Sequence, residues 1–290
     1  METLDNVIVE DTTTPNAPEI ATTDENLSAD AMFQQTDLPS LGKQIFSVVP
    51  IQGPTAALFN IKRKDSSNDF ELLRNEVEVF PSSSISTGLT QEVFQDIVSQ
   101  YGKKASSVIG PLLRGLANGQ ENDRTIEFLN TNSKSEAGLQ LTDSLNAETN
   151  LFEITQRANE LVLKANNVNM ITYEAYCVLP YFAAGSISAL GNYAGAEDDP
   201  ERGLFIRQIG QIKYYLNPVA SSITAYVGLK DSYNPSKSAA VFSPYASNIV
   251  ESHNPNTGNL NYFIFNRFAI TKSPLHVPNN EMMFKFDILI

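Results

Sequence analysis

The sequence predicts an α+β fold with long-range strand pairing. Three observations predict it. β-branched, strand-like runs occupy residues 45–80 and most of the chain beyond Leu204. Apolar residues at helical spacing fill the stretch between them, and an acidic, Thr-rich leader precedes both. With 290 residues, 42% of them hydrophobic, the chain has enough apolar matter for a core. No internal repeat is visible.

Residues 1–42 carry nine acids (Glu2, Asp5, Glu10, Asp11, Glu19, Asp24, Glu25, Asp30, Asp37) and no Lys or Arg, leaving 24 of the 33 acids to face all 20 bases. Most of the net charge of −13 therefore sits in the leader, and the body is close to neutral. Residues 1–40 hold few large apolar side chains. Ordering costs roughly 1–2 kcal/mol per residue, so this segment is expected to be mobile alone or ordered only against another chain. No basic stretch followed by an apolar core opens the sequence, so no secretory signal is expected.

Ile45-Phe46-Ser47-Val48-Val49-Pro50 reads as extended. Ala57 to Lys64 and Phe70 to Phe80 flank the polar Asp65-Ser66-Ser67-Asn68-Asp69, a hairpin signal. Folding about Ser67 sets Arg63 opposite Glu71, a favourable cross-strand pair. Such a hairpin has too little apolar surface to stand alone. Leu89, Val93, Phe94, Ile97, Val98 and Tyr101 form a helical stripe, with Thr87 or Thr90 as cap and Gly102 as stop. A second helix begins near Pro111 and carries Leu112, Leu113 and Leu116. The clearest helix is 151–165, capped by Asn150 with Glu153 three residues on, its buried face made by Leu151, Ile154, Ala158, Leu161, Val162 and Ala165. A short strand, Val168 to Thr172, and a helix, Tyr173 to Ala184, follow. Strands are then expected at Phe205–Ile209, Ile212–Leu216, Ser222–Leu229, Ala239–Phe242 and Asn261–Thr271. Met170 to Gly191 is mildly apolar but contains Glu174 and Pro180, so a buried helix is expected there and no membrane span.

The composition excludes several chemistries. One cysteine, Cys177, rules out an intrachain disulfide and any multi-cysteine metal site, and its apolar neighbours mark it as a small buried hydrophobe. Gly110 to Gly115 lacks the Lys-Ser/Thr of a phosphate loop, and no Gly-x-Ser-x-Gly elbow exists. His253 lies in the turn-like Ser252-His253-Asn254-Pro255-Asn256, and His276 between Pro274 and Pro278; both read as loop histidines. Glu197-Asp198-Asp199 reads as a solvated loop. No catalytic residue, metal site or cofactor is expected. Lys62-Arg63-Lys64 is the one basic triplet. With acids nearby it suits a charge contact between subunits better than phosphate, so Lys62, Arg63, Lys64, Asp65, Asp69 and Glu71 are the candidate inter-subunit contacts.

Several stretches together carry a family resemblance. Pro50-Ile51-Gln52-Gly53-Pro54-Thr55-Ala56-Ala57-Leu58-Phe59-Asn60-Ile61-Lys62-Arg63 resembles the Gly-Pro-Thr-Gly approach to the hairpin of T-even-type tailed-phage major capsid proteins. Gln211-Ile212-Lys213-Tyr214-Tyr215-Leu216-Asn217 and Ala225-Tyr226-Val227-Gly228-Leu229-Lys230 are similar to two strands of that family. Ala239-Ala240-Val241-Phe242-Ser243-Pro244-Tyr245 is similar to its Tyr-Ala-Pro-Tyr segment, with Ser243 for the alanine, and Asn266-Arg267-Phe268-Ala269-Ile270 to its Thr-Arg-Tyr-Gly strand. The resemblance implies a Hong Kong 97-like fold. Its parts would be an N-terminal arm (1–44), an extended hairpin or E-loop (45–85), a peripheral domain with a spine helix (86–150), an axial domain (151–228) and a return to the peripheral domain (229–290). Gly110-Pro111 would interrupt the spine helix. Ile8-Val9-Glu10 resembles the family's maturation cleavage site.

The implied function is a non-enzymatic subunit that assembles with copies of itself, as hexamers and pentamers, into an icosahedral phage head around double-stranded DNA. Vertex, portal and decoration proteins are implied partners, with no membrane. A vertex protein or an encapsulin-like compartment shell stays open within this class, and an adhesin or tail-associated binding module outside it. The acidic leader and near-neutral body fit a wall that does not adhere to DNA.

Overall fold

The computed structural model describes residues 39–63, 70–81, 83–89, 105–142, 146–169, 174–189, 204–219, 221–253, 259–274 and 282–289, together with residues 95 and 99. A single helical turn comes first, α1 (Leu41–Ile45), with Leu41 and Ile45 fully buried. After the two-residue β1 (Ser47–Val48) comes an antiparallel hairpin of β2 (Thr55–Arg63) and β3 (Phe70–Glu78). The hairpin is where the sequence predicts it, one residue out of the expected register. Glu71 lies opposite Lys62, and Arg63 opposite Phe70. Six residues separate Arg63 from Phe70, so the fold-back centres between Ser66 and Ser67, and that half-residue displacement moves every partner by one.

Leu89 ends a strand, β4 (Ser83–Leu89), rather than starting a helix. Thr87 is likewise a strand residue and not a cap, while Thr90 and Gly102 lie outside the described residues. α2 (Ala105–Asn132) then runs for 28 residues, about 42 Å at 1.5 Å per residue. It continues straight through Gly110-Pro111, so the expected interruption does not occur. A proline inside a helix costs about 3 kcal/mol. Burial of the adjoining Ile109, Leu113 and Ala117 against Leu260, Tyr262 and Ile264 offsets it. Leu116, expected on this helix with Leu112 and Leu113, is 58% exposed.

The two-residue strands β5 (Lys134–Ser135) and β6 (Leu139–Gln140) lead to α3 (Ala147–Asn169). Its buried face contains Ile154, Ala158, Leu161, Val162 and Ala165, as the spacing predicts. The cap is one turn earlier than expected. Asn146 Oδ1 accepts from the amides of Glu148 (3.1 Å) and Thr149 (3.3 Å), while Asn150 is buried in the first turn. Glu153 serves instead as a clamp on Thr142, accepting from its amide at 3.0 Å and from its hydroxyl.

The next region reverses the expected order. Val168 belongs to α3. The stretch expected as a helix from Tyr173 contains β7 (Glu174–Leu179), and only after Pro180 does α4 (Tyr181–Ala189) begin. β7 is buried from Ala175 to Leu179, so its sequence is apolar without alternation and resembles a buried helix. Cys177 is therefore fully buried on an interior strand, not on a helix stripe.

The remainder is β: β8 (Phe205–Ile209), β9 (Ile212–Leu216), β10 (Thr224–Lys230), β11 (Ala240–His253), β12 (Leu260–Lys272) and β13 (Met283–Leu289). Gly210, at φ +60°, makes the two-residue turn between β8 and β9. β11 runs 14 residues through Pro244 because its pairing with β12 shifts between Pro244 and Ala246. A bulge is where a strand tolerates a residue without an amide hydrogen.

Among the described residues the strands form two sheets besides the hairpin. One has the order β5-β13-β10-β7-β9-β8, with β6 also on β13; the other has the order β1-β11-β12-β4. α1, α3 and the second half of α2 pack around Tyr176, Tyr214, Phe284 and Phe286 of the seven-stranded sheet. The first half of α2 covers the four-stranded sheet, so one helix serves both. Phe46 joins the layers edge-on, 5.8 Å from Phe128 and 5.9 Å from Tyr176. Among the described residues, no helix is long and apolar enough to cross a membrane.

Candidate functional site

The surfaces that this fold leaves unfinished begin with the hairpin. Its base is fastened to β12. Val77 and Val79 pack on Ala269 with Ile51, Ala56, Leu58 and Tyr245 around them. Asn75 Nδ2 donates to the Lys272 carbonyl at 2.7 Å, and the Phe80 amide to the Phe268 carbonyl at 2.9 Å. Strand alternation places Ala56, Leu58 and Val77 on the fastened face and Phe59, Leu72, Arg74 and Glu76 on the other. There Phe59 is 57% and Leu72 63% exposed. Arg74 and Glu76 pair at 3.1 Å in open solvent, a contact of little energetic consequence. The candidate contacts Lys62 and Glu71 are register partners at the far end of this ribbon, beside Arg63. Lys64, Asp65 and Asp69 lie outside the described residues.

A second unfinished surface is the face of the four-stranded sheet turned away from α2. Val250 and Phe265 are 45% and 41% exposed, and the Phe263 and Phe265 rings stack at 6.4 Å. Sequence reading missed Phe59, Leu72 and Phe265. The available signal was a large apolar residue on the outward phase of a strand whose other phase already fills a core.

Where the leader joins, the chain is held tightly. Asn122 of α2 accepts from the Leu41 amide (2.6 Å) and donates to the Pro39 carbonyl (3.0 Å). Its neighbour Glu121, 1% exposed, accepts from Asn266 Nδ2 at 2.6 Å and pairs with Lys43 at 3.3 Å. At the other end of α1, Lys230 Nζ donates to the Gln44 carbonyl. Burial pushes the Lys230 ammonium down to about 8; Lys213 adds to the shift and Glu174 opposes it.

The thiol and several phenols lie in the core. Burial pushes the Cys177 thiol and the Tyr176, Tyr214 and Tyr215 hydroxyls well above their ordinary ranges. His253 closes β11 opposite Leu260, a strand end rather than the expected turn. His276 and Glu197-Asp198-Asp199 lie outside the described residues. Among the described residues, no cluster of three or more His, Cys, Asp or Glu gathers as a metal site. A shallow groove of about 380 Å³ runs between α2 and the hairpin base, walled by Phe80, Gln120, Asp123, Arg124 and Glu127. Its one cation, Arg124, is paired with Glu127 at 2.8 Å.

No family model matches the sequence, and no curated protein matches it. Solved structures do match the fold. A chain of Mycobacterium phage Bobi superposes with a TM-score of 0.54 at 10% identity, covering 87% of this chain and 91% of that one. A chain of the virus-like particle from Pyrococcus furiosus gives 0.52 at 12% identity, covering 91% and 98%. A chain from the asymmetric unit of the bacteriophage PhiM1 mature capsid gives 0.50 at 11% identity, covering 86% and 87%. The fold is that of capsid-forming chains. At these identities the likeness is one of fold.

Proposed function

We propose that this chain is a structural, non-enzymatic capsid subunit of the T-even-type, Hong Kong 97-like class, which assembles with copies of itself into the icosahedral head of a tailed phage. The observation that carries the reading is the fold shared over nearly the whole chain with capsid and virus-like-particle chains, on a subunit whose hairpin leaves Phe59 and Leu72 uncovered. Residues 1–44 serve as the arm, 45–85 as the E-loop, 86–150 as the peripheral domain with α2 as its spine, 151–228 as the axial domain, and 229–290 as the return. Copies meet as hexamers and pentamers. Lys62, Arg63, Lys64, Asp65, Asp69 and Glu71 supply charge contacts at the hairpin's far end. The head forms in the host bacterial cytoplasm and encloses double-stranded DNA without reading its sequence; vertex, portal and decoration proteins are the remaining partners.

Energetics support this reading. A ribbon that buries only its base gains little from its own chain, while obligate assemblies bury more than about 2,000 Å² per interface. A hairpin docking on a different surface of the next copy is a heterologous contact, which either closes into rings or runs on into filaments. The match covering 98% of the virus-like-particle chain favours, as a second reading, a compartment shell without a phage. Light scattering and negative-stain microscopy of the purified protein test the proposal. Rings or closed particles are expected, and nucleic acid inside particles from infected cells separates the two readings. A strict monomer at high concentration rejects both.

A further inference from the structure

Tyr233 stands out of the fold on a fixed support. Its side chain is 96% exposed, the most of any large apolar side chain among the described residues. The turn beneath it is tied at several points. Asp231 Oδ1 accepts from the amides of Tyr233 (2.9 Å) and Asn234 (2.8 Å). The Asp231 amide donates to Ser238 Oγ at 2.8 Å, and the Asp231 carbonyl accepts from Ser47 Oγ of β1 at 2.6 Å. Ser232 Oγ donates to Glu174 of β7 at 2.9 Å. Pro235–Lys237 closes the turn as one short 3-10 helix, with Ser238 fully buried behind it. An aromatic side chain so far out in water does little for its own core. Held on a pre-formed turn, with two side-chain torsions left to fix, it is a low-cost anchor for another surface.

The groove between α2 and the hairpin base has the chemistry to receive it. Its volume of about 380 Å³ lies at the low end of ligand-sized clefts, roughly 300–1,000 Å³, which suits one ring better than a helix. Phe80 and Phe268 meet edge-on at 5.3 Å along it, and the Arg124 guanidinium lies 6.0 Å from the Phe80 ring centre. Aromatic rings and a guanidinium are surfaces on which a further ring packs. Gln120, Asp123 and Glu127 on its wall offer acceptors to a phenolic hydroxyl. The charges match as well. Glu127 is engaged by Arg124 at 2.8 Å, whereas Asp123 has no ion pair among the described residues. Lys237, four residues beyond Tyr233, has none either. An unpaired acid in the groove thus answers an unpaired base on the turn.

We propose that the Tyr233 turn of one copy seats in the α2–hairpin groove of a second copy, its ring against Phe80 and its Lys237 toward Asp123. The proposal rests on the self-assembly reading and adds to it where copies align. Turn and groove are different surfaces, so the contact is heterologous. One ring in one groove buries far less than the roughly 1,000 Å² of a lasting interface. It sets the angle between copies whose main contacts lie elsewhere. Full-length protein with p-benzoylphenylalanine in place of Tyr233 tests it, mixed from isotopically light and heavy copies and irradiated during assembly. The expected adducts join position 233 of one copy to Phe80, Pro81 or residues 120–127 of another. Adducts to other segments, adducts within one copy, or none at all overturn the proposal. A charge exchange reads the same contact without the probe. Asp123→Lys should raise the concentration needed for assembly about tenfold, and adding Lys237→Asp should restore it. Unchanged assembly in the single variant, or no restoration in the double, overturns the proposal, while particles from the unaltered chain leave the shell reading intact. An unaltered chain that stays monomeric at high concentration removes both.

Discussion

The hairpin and the seven-stranded sheet are built from similar strands and reach opposite ends. β2 and β3 are nine residues each, longer than any strand of the larger sheet, and their register is unbroken. Yet the sheet buries Tyr176, Tyr214, Phe284 and Phe286 almost completely, while the hairpin buries only its base and leaves Phe59 and Leu72 mostly in water. Pairing length is thus no measure of how secure a strand is. What differs is whether the same chain supplies a second layer. α1, α2 and α3 supply it for the sheet, and none of the described residues supplies it for the outward face of the hairpin.

The contrast can be broken by mutation. Phe284→Ala in the sheet should lower unfolding stability by about 3–5 kcal/mol, read as a shift in the urea midpoint. A small loss there would show that the sheet is not the anchor. Gly228→Ala should cost less, about 1–3 kcal/mol, because a Cβ at that position runs into the buried Tyr176 ring and its hydroxyl. An unchanged midpoint would mean that the Tyr176 ring has room to move.

Lys230 sharpens the comparison at the junction of α1 and the sheet. Its folded-state value of about 8 lies below the ordinary 10.5. Between those values the unfolded chain holds a proton that the folded chain has released, so stability should rise with pH across that window, by at most one proton's worth of slope. Below about pH 8 both states are protonated, so the slope vanishes while the penalty for burying the ammonium is present in full. Lys230→Met should remove that part of the slope; identical slopes would show that burial does not disfavour the ammonium. The smallest stability effect belongs to the hairpin. Phe59→Ser and Leu72→Ser should change unfolding by within about 0.5 kcal/mol, while particle formation, followed by light scattering, is lost. Particles that form normally would remove the hairpin's apolar face from the assembly surface.

Much of the architecture was legible where one face of an element is wet. The spacing of Ile154, Ala158, Leu161 and Val162 predicts α3, and Phe205–Ile209 and Ile212–Leu216 are predicted to the residue. Legibility failed where both faces are buried. Ala175 to Leu179 shows no period that separates strand from helix, so β7 was misassigned. It failed again at α2, because Pro111 is a local stop signal that tertiary packing of Ile109 and Leu113 overrides. For the candidate surfaces, the sequence shows the hairpin and its charges. Which phase of β2 faces outward depends on a turn centre that the Asp65–Asp69 composition does not specify.

α2 has a mechanical consequence. Because Ile109 and Leu113 are seated on one sheet and Ile126 and Leu129 on the other, the helix is a strut cemented at both ends. Close-packed interiors transmit displacement with little give, so force applied to either layer arrives at the other as torque on a single rod. A pull on the hairpin base, fixed to β12 beside Arg124, therefore loads that rod between its two seats, which lie roughly 20–30 Å apart along the helix.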